Sequence, residues 1–126
     1  MGGILGRGGE DRRVSEYNPR KNTWRNMPGL QKRRYSDNIV CTLDTKIFAL
    51  GGQVGTACEV LDLSGDNPHW KFIASINSKR RKGGVAVLGE RKIYLMGGSD
   101  TSVEVYDEDQ GILMEFLQID IFVIYR

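Results

Sequence analysis

Residues 46–62 read KIFALGGQVGTACEVLD. Lys46-Ile-Phe-Ala-Leu50 is mostly apolar and carries large side chains at Ile47 and Phe48, which suits a strand buried inside a stack of sheets. Gly51-Gly52 ends that strand, because adjacent glycines reach positive φ and allow close backbone approach at little steric cost. Cys58-Glu-Val-Leu-Asp62 resumes as a second strand, consistent with an antiparallel return. The same design reappears at Lys92-Ile-Tyr-Leu-Met-Gly-Gly98, followed by Val103-Glu-Val-Tyr-Asp107.

The recurrence has a fixed period. Trp24 and Trp70 are 46 residues apart, and so are Gly51-Gly52 and Gly97-Gly98, Ile47 and Ile93, Phe48 and Tyr94, and Arg34 and Arg80. The strand after each double glycine matches too, as Val14-Ser-Glu-Tyr17, Cys58-Glu-Val-Leu61 and Val103-Glu-Val-Tyr106. Several residue types agreeing on one spacing identify an internal repeat.

Taken in order, Ile4-Leu-Gly-Arg-Gly-Gly9 reads as a worn strand end with its double glycine, and Val14 to Tyr17 as the next strand. Asn18-Pro-Arg-Lys-Asn22 is a turn, since Pro fixes φ and Asn tolerates the left-handed region. Thr23-Trp-Arg-Asn-Met27 is a short outer strand, and Ser36 to Leu43 opens the next unit. Ser64-Gly-Asp-Asn-Pro68 is the matching turn before the outer strand His69-Trp-Lys-Phe-Ile73, and Gly83 to Leu88 opens the unit after that. Four short strands per unit, with turn residues between them, describe one blade of a β-propeller.

Among propeller patterns the chain resembles the kelch repeat. The resemblance rests on Arg34, Ile47-Phe48, Gly51-Gly52, Glu59-Val-Leu-Asp62 and Trp70, and on Arg80, Ile93-Tyr94, Gly97-Gly98 and Val105-Tyr-Asp107. With the half unit from Val14 to Met27 it covers residues 1–111, in units of about 1–27, 34–75 and 80–116. The expectation is an all-β chain of about two complete four-stranded antiparallel blades plus partial ones, an incomplete ring. About 2.7 periods fit in 126 residues, whereas propellers close with about four to eight blades. The chain therefore reads as a piece of a longer propeller, a truncated product, or a subunit of a ring assembled from several chains.

Each motif residue has a structural reading. The glycines Gly51, Gly52, Gly97 and Gly98 turn a buried strand away tightly, and Tyr17 and Tyr106, with Leu61 between them, cover the blade face. Trp24 and Trp70 supply apolar area between blades, each indole N–H seeking a partner. The pattern breaks at Leu113, which falls where Trp is expected, and residues 112–126 form an atypical apolar tail. Its last segment combines high β-propensity, high hydrophobicity and almost no charge, the signature of an aggregation-prone strand.

Composition limits the function classes. Apolar residues make up 40% and charged residues 27%, which argues against wholesale disorder. A net charge of +2 and a pI near 8.6 are too mild to indicate nucleic acid, and no stretch reads as a membrane span. Cys41 and Cys58 sit in apolar runs and read as small buried hydrophobes of a reducing compartment, so a cytoplasmic or nuclear location is the expectation. The single histidine, His69, has no second His or Cys cluster beside it, so no zinc site, cofactor or catalytic residue is expected. A copper oxidase is among the enzymes on kelch-like propellers, but this chain does not assemble the His and Tyr ligands that such a site needs.

Loops remain as the place for function. Gln31-Lys-Arg-Arg-Tyr35 and Ser78-Lys-Arg-Arg-Lys82 are basic connections at equivalent positions, which adjacent blades would place on one face. One reading is that the long cations solvate the loops and that Arg34 and Arg80 are a structural residue of the repeat. The other is an anion-reading surface of Arg33, Arg34, Lys79, Arg80, Arg81 and Lys82, with Tyr35 as an aromatic anchor. Gln53, Ser99 and Asp100, from the neighbouring loops, would add polar contacts. The kelch resemblance implies a non-enzymatic protein-interaction module, and in that family arginines of these connections often grip acidic peptide segments. It also implies two more specific roles: substrate recognition in a cullin-based ubiquitin ligase, if a BTB domain is supplied elsewhere, or binding to actin. A third reading is a truncated product without function.

Overall fold

The computed structural model describes residues 2–3, 12–34, 38–51, 55–89, 91–98 and 101–116. The described strands form three separate antiparallel sheets. The first joins β1 (Gly2–Gly3), β2 (Val14–Asn18) and β3 (Thr23–Met27). The second joins β4 (Ile39–Leu43), β5 (Lys46–Leu50), β6 (Cys58–Asp62) and β7 (Trp70–Ile73). The third joins β8 (Gly84–Leu88), β9 (Lys92–Met96), β10 (Val103–Asp107) and β11 (Ile112–Phe116). Each sheet is a meander in which every strand pairs with the one before it, the topology of propeller blades. Among the described residues these are propeller-type blades, two of four strands and one of three, and they do not close into a ring.

Register makes the repeat exact at the level of pairs. Ala49 faces Glu59 in the second sheet as Leu95 faces Glu104 in the third. Tyr17 faces Trp24, Leu61 faces Trp70 and Tyr106 faces Leu113. Loss of the tryptophan at Leu113 therefore does not end the sheet: residues 112–116 pair fully with β10 as its outer strand. The rest of the apolar tail lies outside the described residues.

Gly51 and Gly97 end β5 and β9 with φ of 51° and 71°, and Gly98 follows at 78°. A Cβ on Gly98 would stand 2.7 Å from the Arg81 carbonyl oxygen, so that position excludes a side chain on two grounds. Gly52 lies outside the described residues.

The core lies between sheets. Val14 and Leu30 meet Ala49, Leu61 and Trp70 at the first junction. Ile39, Phe48, Leu50, Cys58 and Ile76 meet Ile93, Leu95 and Tyr106 at the second. Alternation along each strand explains this: in β5, Phe48 and Leu50 face one neighbour while Ile47 and Ala49 face the other. Cys58 is buried and Cys41 half-buried, both as free thiols, and burial pushes the Cys41 thiol up to about 11. Among the described residues there is no helix, and none long and apolar enough to cross a membrane.

Candidate functional site

The ends of β3, β5, β7 and β9 and the starts of β2, β4, β6, β8 and β10 lie at one rim of the sheets, where the basic connections run. The structure divides the candidate residues there into two groups. Arg34 and Arg80 turn inward and are 5% and 0% exposed. Arg34 Nη2 donates to Glu59 Oε2 at 2.8 Å, and its Nη1 donates to the carbonyls of Gly51 and Ala57 at 2.9 and 2.7 Å. Arg80 repeats the arrangement: Nε to Glu104 Oε2 at 2.9 Å, Nη1 to the Gly97 carbonyl at 3.2 Å, and Nη2 to Ser102 Oγ at 2.7 Å.

The carboxylates serve the connection as well. Glu59 Oε1 accepts the Gln31 backbone N–H at 2.6 Å, and Glu104 Oε1 accepts that of Asn77. Each pair thus ties three segments: the connection from the preceding blade, the double-glycine turn and the third strand. As placed, Arg34 and Arg80 brace these connections and offer no charge to a partner. The cause is geometric, since a buried carboxylate at the rim demands a guanidinium and the carbonyls of a tight turn demand donors.

Arg33, Lys79, Arg81 and Lys82 are exposed. They belong to two consecutive connections of one rim, and Lys82 adopts a φ of 57° in the turn before β8. Tyr35, Gln53, Ser99 and Asp100 lie outside the described residues.

Sequence reasoning kept Glu59 only as a motif residue and gave neither it nor Glu104 a role at the rim. The available signal was their joint recurrence with arginine, Arg34 to Glu59 and Arg80 to Glu104, on nearly the same spacing. It also passed over Arg12 and Arg13, immediately before β2. With Arg33 they line a cleft of about 720 Å³ floored by Val14, Met27 and Leu30.

Of the aromatic motif residues, Trp70 is buried and its Nε1 donates to the Pro28 carbonyl at 2.8 Å. Tyr106 is buried with its ring 5.8 Å from that of Phe48. Trp24 instead stands at the surface, its ring 5.0 Å from that of Tyr17. It faces away from the second sheet, and no described element packs over it. His69 is exposed, with Nδ1 3.1 Å from the Asn67 carbonyl. No group of three His, Cys, Asp or Glu side chains suited to a metal occurs among the described residues.

No family model matches the chain. Over 100 residues it is 30% identical to Kelch-like protein 23 of Homo sapiens and of Pongo abelii, a match covering 75% of this chain. The chain spans only 18% of the length of those relatives. A solved fungal alcohol oxidase of the AA5 family, in complex with copper, superposes with a TM-score of 0.62 over 90% of this chain and 40% of its own. At 16% identity that likeness shows the fold alone. The 46-residue repeat, the four-stranded meanders with their glycine turns and the Kelch-like relatives agree: the chain belongs to the kelch-repeat family, as part of a propeller.

Proposed function

We propose that the chain is a non-enzymatic protein-interaction module that binds a partner protein through the rim of blade connections. The observation that carries this reading is the separation at the rim: the repeat's own arginines are consumed internally, while Arg33, Lys79, Arg81 and Lys82 remain exposed on consecutive connections. Structural need accounts for the first group, and the second stands at the surface of the same rim. In a longer protein carrying a BTB segment, the same rim would select substrates for a cullin-based ubiquitin ligase.

The test is capture of acidic peptides from an array, compared between the wild type and the charge-reversed chain Arg33→Glu/Lys79→Glu/Arg81→Glu. Circular dichroism would confirm that both are folded. Capture by the wild type and loss in the variant is the expected result, and equal capture by both would refute the reading. Co-sedimentation with actin filaments at low ionic strength, abolished by the same reversal, would instead identify a filament as the partner.

A further inference from the structure

Two buried valines of the third sheet belong to neither core. Val103 and Val105 are 3% and 1% exposed, yet the clusters at the two junctions are built without them. Ile93, Leu95 and Tyr106 carry the contact of the third sheet with the second. Side chains alternate along β10, so Val103 and Val105 point the opposite way from Tyr106, to the side where a following blade would stand. No described strand lies on that side.

The second sheet shows what a blade would do there. Val103 pairs with Met96 as Cys58 pairs with Leu50, and Val105 pairs with Tyr94 as Val60 pairs with Phe48. With the third sheet beside them, Phe48 and Leu50 on β5 are buried and Val60 on β6 is half-buried. In the third sheet the order is reversed: Tyr94 and Met96 on β9 are half-buried, while Val103 and Val105 on β10 are buried. Flanking strands do not account for this, because Val60 has the equivalent strands on both sides and a blade in addition. The cover therefore lies over β10, on the outer half of the sheet.

The chain offers one segment for it. Outside the described residues, 1 and 4–11 adjoin the first sheet, and 35–37, 52–54, 90 and 99–100 are stretches of three residues or fewer. Residues 117–126 remain, and they follow Phe116, the pairing partner of Val103. These ten residues reach about 33 Å when extended, against about 17 Å for the length of β10. Ile119 and Ile121 alternate with Gln118 and Asp120 and lead into Phe122-Val-Ile124, so the segment has apolar area to bury.

We propose that residues 117–126 fold back over β10 as a cap, in the place where a following blade would pack. The cap closes this end of the array against a second copy, as terminal units do in repeat proteins. Trp24 at the opposite end stays at the surface.

The test on the full chain replaces Phe122 with photoreactive p-benzoylphenylalanine and maps the crosslinks by fragment mass spectrometry. Crosslinks within one molecule to residues 92–107 are expected. Crosslinks to another part of the chain, crosslinked dimers, or none at all would overturn the cap. A second measurement follows the covered face, through maleimide modification of Val105→Cys read at that position by mass spectrometry. The reaction should be slow in the otherwise unchanged chain and roughly tenfold or more faster when Ile119→Ser/Ile121→Ser/Phe122→Ser/Val123→Ser is added, both chains being folded by circular dichroism. Equal protection in the two would show that β10 is covered without the segment and would overturn the proposal. Where the four serines unfold the chain, the crosslink map decides alone. Neither readout involves a peptide ligand, so failure here leaves the interaction-module reading intact.

Discussion

In the second sheet Trp70 is 2% exposed, packed with Val14 and Leu30 of the first junction, while in the first sheet Trp24 is 59% exposed. Both lie on outer strands, opposite Leu61 and Tyr17 respectively, and both come from the same place in the repeat. The difference is the neighbour. Trp70 has a blade beside it that supplies aliphatic side chains and the Pro28 carbonyl, whereas the Trp24 ring lies beside the Tyr17 ring of its own sheet. A blade residue therefore acquires its role from the adjacent blade, as expected where each repeat contacts only its neighbours. The junctions differ from each other too. The second adds ion pairs across its far rim, Lys46 with Glu108 and Arg91 with Asp44, to its Phe48–Tyr106 contact.

The largest effects are expected from the buried rim pairs. Arg80→Ala leaves Glu104 buried without its guanidinium and should cost about 3–5 kcal/mol, whereas Arg25→Ala, in an exposed pair, should cost no more than about 1 kcal/mol. Urea denaturation midpoints measure both, and equal costs would mean that the rim pairs do not hold the connections. Trp70→Ala should cost about 3–5 kcal/mol and Trp24→Ala under about 1 kcal/mol, read from the same curves. Near-equal values would break the comparison of the two tryptophans. Arg91→Ala should cost at most about 1 kcal/mol, with a smaller difference from wild type at high salt, because its partners are exposed. The smallest effect is chemical. With its pKa raised by burial to about 11, Cys41 is almost wholly a protonated thiol at pH 8 and should react with a maleimide far more slowly in the folded chain than in urea.

Much of the frame was legible in the sequence. The bounds of β5, β6 and β9 coincide with the expected strands, because apolar runs closed by glycine or turn residues are local signals. The positive φ values at Gly51, Gly97 and Gly98 follow from the same chemistry. The site was less legible. Arg34 and Arg33 are adjacent residues of one basic run, yet the first is buried and the second exposed. What decides between them is Glu59, 25 residues further on, whose burial depends on strand register and not on local composition. Likewise the exposure of Trp24 is a property of what lies beside it. Arg12 and Arg13 look unremarkable in a polar stretch, and only the fold shows that they line one cleft with Arg33.

The most direct test of this neighbour-dependence uses the two tryptophans as reporters, since the chain has no others. Acrylamide quenching would be measured on Trp70→Phe, which leaves Trp24, and on Trp24→Phe, which leaves Trp70. Strong quenching of Trp24 and protection of Trp70, both lost as a difference in urea, is the expected result. Equal quenching of the two in the folded protein would contradict it.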